Sequence, residues 1–412
     1  FHFAHGSELR ELKTMRKIAF VSTIEGVPWG GSELLWAGAA ERLARQGVQV
    51  QVSVKDWGQP VKQIEHLRSV GCKIFTRTFP PPYWERVRWK FLKDSYTTQH
   101  LREAGAGADL VVVAQAGHTD GLIWMEAARS EGLKYAVISQ AAAETWWPAD
   151  EVMERLAACM DEAEAAYFVS QGNLELTRRQ IAGVLQRGRV VWNPFNVRYN
   201  AQPKWPGDAC DELRLACMAR LDSAQKGQDI LMRVLDQPKW RARKVHVTLA
   251  GSGVHERVLR RMAAGLNLPN LEFAGFIEDV EQFWGGYHAI VLPSRFEGMP
   301  LALIEAMLCR RACIVTDVGG NCELVRDGVN GFVAKAPTVE LVDDALERAW
   351  ENRGRLRELG ETAGRDVRER VPADPIGDFV RDLETLLSGV AHLPQDAQRM
   401  GDSPGRKSEL AL

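Results

Sequence analysis

The stretch Pro293-Ser-Arg-Phe-Glu-Gly-Met-Pro-Leu-Ala-Leu-Ile-Glu-Ala-Met307 decides how the rest of the chain is read. An apolar run, Ala289-Ile-Val-Leu292, precedes it and reads as a buried parallel strand. A polar turn with Glu297 and Gly298 follows, then a helix opening near Pro300, where a missing N–H costs little. Leu301, Ile304 and Leu308 recur at helical spacing and give that helix an apolar stripe. A strand, a glycine turn and a fresh helix start leave backbone N–H groups and the positive end of a dipole facing a crevice, which is a ready anion site. Glu297 lies in the turn and Glu305 in the helix, its side chain leaning toward the helix N-terminus. Two acceptor-only carboxylates beside an anion site fit a ligand that carries both phosphates and vicinal hydroxyls, a nucleotide sugar. Two solvated glutamates in an N-cap region are the plainer alternative.

Outward from this stretch, the chain alternates strand and helix patterns twice over. Lys17–Ser22, Val48–Val54, Asp109–Gln115, Tyr135–Ser139 and Ala166–Ser170 read as strands of a first array. The first array starts with a βαβ unit that has Gly30-Gly31-Ser32-Glu33 at the helix start and lacks G-x-G-x-x-G, so the dinucleotide fingerprint is absent. A polar stretch, Ala201-Gln-Pro-Lys-Trp-Pro-Gly-Asp208, reads as a linker. A second array follows from Leu213-Arg-Leu-Ala-Cys-Met218 to Asn330-Gly-Phe-Val333. Two such arrays predict an α/β protein of two Rossmann-like, doubly wound domains facing a central cleft. The expected division is a leader or disordered segment over 1–14, an N-terminal domain over 15–196 and a C-terminal domain over 197–374. A helix returning to the first domain is expected over 375–392, and a flexible tail over 393–412.

At 412 residues the chain is too long for one ordinary domain, and its 45% hydrophobic and 26% charged fractions are those of a globular protein. A net charge of −2 gives no reason to expect a nucleic-acid partner. The seven cysteines are scattered without a C-x-x-C pair, which argues against a disulfide framework or a zinc site and favours a reducing, cytoplasmic setting. No apolar run reaches membrane-spanning length. Residues 80–90, Pro-Pro-Pro-Tyr-Trp-Glu-Arg-Val-Arg-Trp-Lys, mix aromatic and basic residues and read either as a solvated amphipathic segment or as a peripheral membrane contact.

Glu297 and Glu305 together look like the Glu-x7-Glu signature of retaining glycosyltransferases of the GT4 family, which have the GT-B fold. The order Arg220-Leu-Asp-Ser-Ala-Gln-Lys226-Gly227 resembles the family's Arg…Lys-Gly motif, and Gly319-Gly-Asn-Cys-Glu323 its later Gly-Gly…Glu turn. The resemblance implies that Arg220 and Lys226 neutralise the diphosphate and Glu305 grips the ribose. It also implies that Glu297, with amides of Gly298, Met299 and Leu301, orients the donor sugar. Pro300 departs from the pattern by removing one amide. Gly30 and Gly31, with Phe276 and Ile277, complete the donor-binding set, and Arg220, Lys226, Glu297 and His118 the catalytic one. His118 is placed by its position after the Asp109–Gln115 strand, where Asp120 is the alternative and a structural histidine capping the next helix is another. The chain has no Asp-x-Asp pair, and neither a metal nor another cofactor is expected. The expected partners are a nucleotide-sugar donor and a glycan or lipid-linked acceptor. The aromatic loop Glu144-Thr-Trp-Trp-Pro148 is a candidate to help hold the latter. A phosphorylase-like or synthase-like enzyme of the same fold, and an inactive sugar-nucleotide-binding protein, remain as rival expectations.

Overall fold

The computed structural model describes residues 16–78, 96–117, 119–209 and 211–389. The segments expected as leader and tail, the aromatic and basic stretch 80–90, and His118 lie outside the described residues.

Two parallel sheets are built from the apolar runs. The first has seven strands: β1 (Lys17–Ser22), β2 (Gln49–Lys55), β3 (Lys73–Arg77), β4 (Leu110–Gln115), β5 (Tyr135–Ser139), β6 (Ala165–Phe168) and β7 (Gly188–Val190). Its order is β3-β2-β1-β4-β5-β6-β7. The second has six: β8 (Leu213–Met218), β9 (Val245–Ala250), β10 (Leu271–Gly275), β11 (Ala289–Leu292), β12 (Ala312–Thr316) and β13 (Gly331–Ala334), in the order β10-β9-β8-β11-β12-β13. All residues of β4, β5, β11 and β12 are buried, as strands covered by helices on both faces must be. Apolar clusters fill both faces of each sheet.

Strand order reverses direction between β1 and β4, and again between β8 and β11. At such a reversal the flanking connections leave on opposite sides and open a crevice beyond the carboxyl ends of the strands. The two domains are of the GT-B type, and each sheet supplies one crevice.

Two segments tie the domains together. The Pro375–Ser388 helix starts at Asp374, whose carboxylate accepts the N–H of Gly377 at 3.0 Å, and packs back on the first domain. Phe379 meets Tyr167 edge-on at 5.1 Å, Ile376 lies over Gly38, and Arg42 holds Asp374 in a bidentate pair. The polar stretch 201–208 has no regular secondary structure, yet it is packed. Ala201 is fully buried, and the guanidinium of Arg311 donates to Lys204 O at 2.6 Å while lying 5.0 Å from the Trp205 ring centre. Burial lowers the Arg311 pKa to about 10. A buried cation satisfied by these carbonyls pins the stretch 201–208 to the domain of the second sheet.

Candidate active site

The second crevice is built by two loops. After β8 the chain runs through Ala219 and Arg220 into a short helix, Ser223–Lys226, which ends at Gly227 with φ +66°. Only a residue without Cβ suits this place. The conformation is left-handed, and a Cβ would fall 2.0 Å from Pro293 O. Gly227 thus brings the loop after β8 into contact with the loop after β11, and Arg295 N donates to Gln225 O at 2.7 Å in the same seam. Arg295 also pairs in bidentate fashion with Asp229, at 2.7 and 2.8 Å.

That contact delivers Lys226 to Glu297. The ammonium Nζ lies 2.7 Å from both carboxylate oxygens, and Ser294 Oγ donates to Oε1 at 2.7 Å. Glu297 is 3% exposed, so its charge is held by this pair and not by water. Arg220 stays half-exposed at the crevice mouth, where Nη2 donates to Gln225 at 2.8 Å. The Leu301–Leu308 helix begins here, with Pro300 as its N-cap, one place earlier than a first-turn position. Among the described residues no side chain caps that end, and Leu303 N donates to Pro300 O at 3.1 Å.

Glu305 is buried one turn into this helix, where Asn196 N and Asn196 Nδ2 both donate to Oε1 at 2.9 Å. Burial raises its pKa, and the two Asn196 bonds work against that rise. Among the described residues, no group donates to Oε2. Asn196 had no signal in the sequence as a site residue, because it reaches Glu305 from a loop more than a hundred positions earlier in the chain.

The remaining expected residues divide into two groups. A Cβ on Gly31 would lie 3.1 Å from Leu301 Cδ1, so the first domain's glycine loop meets the start of the donor helix across the cleft, with Gly30 just before it. A Cβ on Gly298 would lie 2.1 Å from Gln140 O, so this turn too is pressed against the first domain, with Met299 buried beside it. Phe276 and Ile277 leave β10 at the far side of the sheet. Phe276 is 75% exposed, and Ile277 packs on the apolar cluster under the Leu301–Leu308 helix. Asp120 accepts hydrogen bonds from Thr23 Oγ1 (2.6 Å), Ala116 N (3.0 Å) and Gly117 N (3.1 Å), which makes it the brace of its own loop. Trp146 stands between Gly117 and Phe296, with its ring centre 4.6 Å from that of Phe296.

The first crevice holds a buried polar network that sequence reasoning missed. Glu33, just after the glycine pair, accepts from Ser22 Oγ at 2.5 Å and Ser32 Oγ at 3.3 Å. Burial pushes its pKa up to about 7, against these hydrogen bonds and the charge of Arg77. Arg77 donates to Ser53 Oγ at 2.8 Å and to Ser22 O, and lies over the Trp124 ring. His100 shares Ser53 at 2.9 Å, and burial, then the charge of Arg77, lowers its pKa to about 4. A buried acid in a strongly apolar array has a weak sequence signal, because its neighbours come from three different strands.

A cavity of about 620 Å³ lined by Glu126, Arg129, Lys134, Tyr135 and Glu162 opens at the start of β5, the end of the sheet away from the crevice. Arg129 is paired with Glu162 and Glu126 with Arg155.

The architecture defines the class first: both domains and their arrangement are those of GT-B proteins. The structure superposes on the HepE protein of Anabaena, solved with UDP and with UDP-glucose, with a TM-score of 0.70 at 18% identity, covering 90% of this chain and 99% of that one. Sucrose-phosphate synthase of Thermosynechococcus elongatus matches equally, with a TM-score of 0.70, 18% identity and coverage of 91% and 100%. The second, narrower match is in sequence: residues 212–352 fit the family described as glycosyl transferases group 1. An exopolysaccharide phosphotransferase of Streptomyces coelicolor is 29% identical over 174 residues, 42% of this chain and 18% of that protein. The O-antigen chain mannosyltransferase C of Escherichia coli is 26% identical over 167 residues, 39% and 44% of the two chains. The chain spans less than half the length of these curated relatives.

Proposed function

We propose that this protein is a retaining glycosyltransferase of the GT4 type, moving a hexose from a nucleoside-diphosphate sugar to a hydroxyl of a glycan or lipid-linked glycan without a metal. The observation that carries this reading is the crevice between β8 and β11. The loop after β8, with Arg220 and Lys226, meets there the loop after β11, with Glu297 and the start of the Leu301–Leu308 helix. The relatives add support, since several are named as sugar transferases and one solved neighbour was crystallised with UDP-glucose.

In this reading the diphosphate lies at the helix start, where Arg220 and Lys226 supply the charge that offsets the leaving phosphate. Glu305 receives a ribose hydroxyl on its Oε2 while Asn196 holds the other oxygen in place. Glu297 and the amides of Gly298, Met299 and Leu301 orient the sugar. The bond from the anomeric carbon to the phosphate oxygen breaks through an oxocarbenium-like state. The acceptor oxygen then bonds to the same face, and its proton passes to the departing phosphate, so no protein nucleophile is required. Work at the cytoplasmic face of a membrane is part of the same reading. Among the described residues no helix is long and apolar enough to cross a membrane.

The test is release of nucleoside diphosphate from UDP-, GDP- and ADP-sugars, with the anomeric configuration of the product read by NMR. Turnover of one donor family with retention is expected. Inversion, or turnover of a sugar 1-phosphate with no nucleotide donor used, contradicts it.

A further inference from the structure

The helix Gln171–Ile181 of the first domain is capped at its N-terminus twice. Its own Ser170 accepts the N–H of Asn173 at 3.1 Å. The two earlier N–H groups, of Gln171 and Gly172, are taken by the carboxylate of Glu323 from the second domain, at 3.2 and 2.7 Å. An anion on the positive end of a helix is favourable, and a carboxylate accepting from backbone N–H groups makes charge-assisted bonds. Here the anion and the helix belong to different domains. The backbones also touch, since a Cβ on Gly172 would lie 2.9 Å from Gly319 O and 3.4 Å from Glu323 Oε1.

The turn that carries Glu323 also braces the donor loop. Gly320 N donates to Gly298 O at 2.8 Å, and Gly319, at φ +53°, packs so closely that a Cβ there would lie 2.3 Å from Glu297 O. The Arg370 guanidinium donates to Glu323 O and holds the turn from behind. One rigid turn therefore grips the first domain on one side and the Glu297–Gly298 backbone on the other.

We infer that Glu323 is a positioning residue: an interdomain latch that couples closure of the cleft to the placing of the Glu297–Met299 loop. The coupling to catalysis rests on the donor-site reading above, whereas the latch itself does not. The nucleotide end of a donor would be held by Arg220, Lys226 and Glu305. Breaking the latch therefore leaves nucleotide affinity in place and lowers the rate of the step that needs both domains.

The test uses Glu323→Ala, Glu323→Gln and Gly172→Ala, the last driving a methyl group into Gly319 O. Small-angle scattering of the ligand-free chain reads the cleft directly, and UDP-glucose with UDP serves as the substrate and binding probe. Glu323→Ala and Gly172→Ala are expected to increase the radius of gyration and to lower kcat by about a hundredfold, the cost of misplacing reacting groups by an ångström. The UDP dissociation constant should stay within about twofold, a split that general destabilisation does not produce. Glu323→Gln, which keeps the shape and one acceptor, should fall between. Should Glu323→Ala fail to fold, Gly172→Ala carries the test. Unchanged scattering in the folded variants overturns the latch. Opening with kcat intact, or equal losses in UDP affinity and kcat, overturns the coupling. A wild type that neither binds UDP nor turns over any nucleotide sugar defeats the proposed function, while the scattering result still decides the latch.

Discussion

The two crevices share a topology and differ in what they do with charge. In the first domain, Glu33, Ser22, Arg77, Ser53 and His100 bond one another beneath the glycine loop, and Glu33 and Arg77 are about 3% and 4% exposed. In the second, Arg220 stands half-exposed and Lys226 is 16% exposed, and among the described residues no side chain caps the Leu301–Leu308 helix. The same reversal of strand order thus yields a buried polar network in one half and, in the other, more exposed ion pairs, Arg220 with Asp222 and Lys226 with Glu297. Sheet order provides the place, and the loops after the strands decide whether it can receive a ligand.

The sharpest way to break this contrast is to remove one partner of the second crevice's pair. Lys226→Ala leaves Glu297 buried with Ser294 as its remaining donor, and breaking a buried ion pair from one side costs about 3–5 kcal/mol. Denaturant unfolding should show that loss, together with loss of nucleotide stabilisation. A variant as stable as wild type would mean that water already satisfies Glu297.

The first crevice is tested by pH. Glu33 has its pKa raised from the usual 4.5 to about 7, so the stability tied to its neutral form is fully present below about 4.5 and is lost as pH rises through about 7. His100 works in the opposite sense. Its pKa is lowered from the usual 6.5 to about 4, so its stability is present above 6.5 and lost as pH falls toward 4. Comparing Glu33→Gln with wild type isolates the first group. The two proteins should unfold alike at low pH, and the variant should gain about 3 kcal/mol over wild type by pH 8. A difference that stays flat with pH would remove the buried-network account of this crevice.

Smaller effects sharpen the comparison where the halves meet. Trp146→Ala removes the edge contact to Phe296 and should cost about 1 kcal/mol beyond the area lost, seen as a modest fall in unfolding free energy. Treatment with EDTA should leave turnover unchanged, and restoration of a lost activity by added magnesium would count against the metal-free reaction.

Much of the fold was legible because parallel strands covered on both faces must be apolar throughout. Asp109–Gln115 and Ala289–Leu292 read as buried strands, and two runs of such strands imply two sheets. Glu297, Lys226 and Arg220 were read as a set from their resemblance to the GT4 motifs, and the neighbouring strands β8 and β11 bring the Lys226 and Glu297 loops together. Contacts between distant segments were not legible. Asn196 on Glu305, Trp146 on Phe296 and Glu323 on Gly172 each join residues more than a hundred positions apart, and no local pattern encodes such a pair. Asp120 shows the converse limit: its place after β4 was readable, but its work inside its own loop was not.

The central claim, that the second crevice is a nucleotide-sugar site, is tested most directly by calorimetric binding of UDP, GDP and ADP to wild type and to Arg220→Ala. Arg220 is half-exposed, so its removal should leave the unfolding midpoint in place. The account predicts that one of the three nucleotides binds wild type and binds the variant at least about tenfold more weakly, as loss of a charge-assisted phosphate contact requires. Folded protein that binds none of them, or binds one equally well without Arg220, would contradict it.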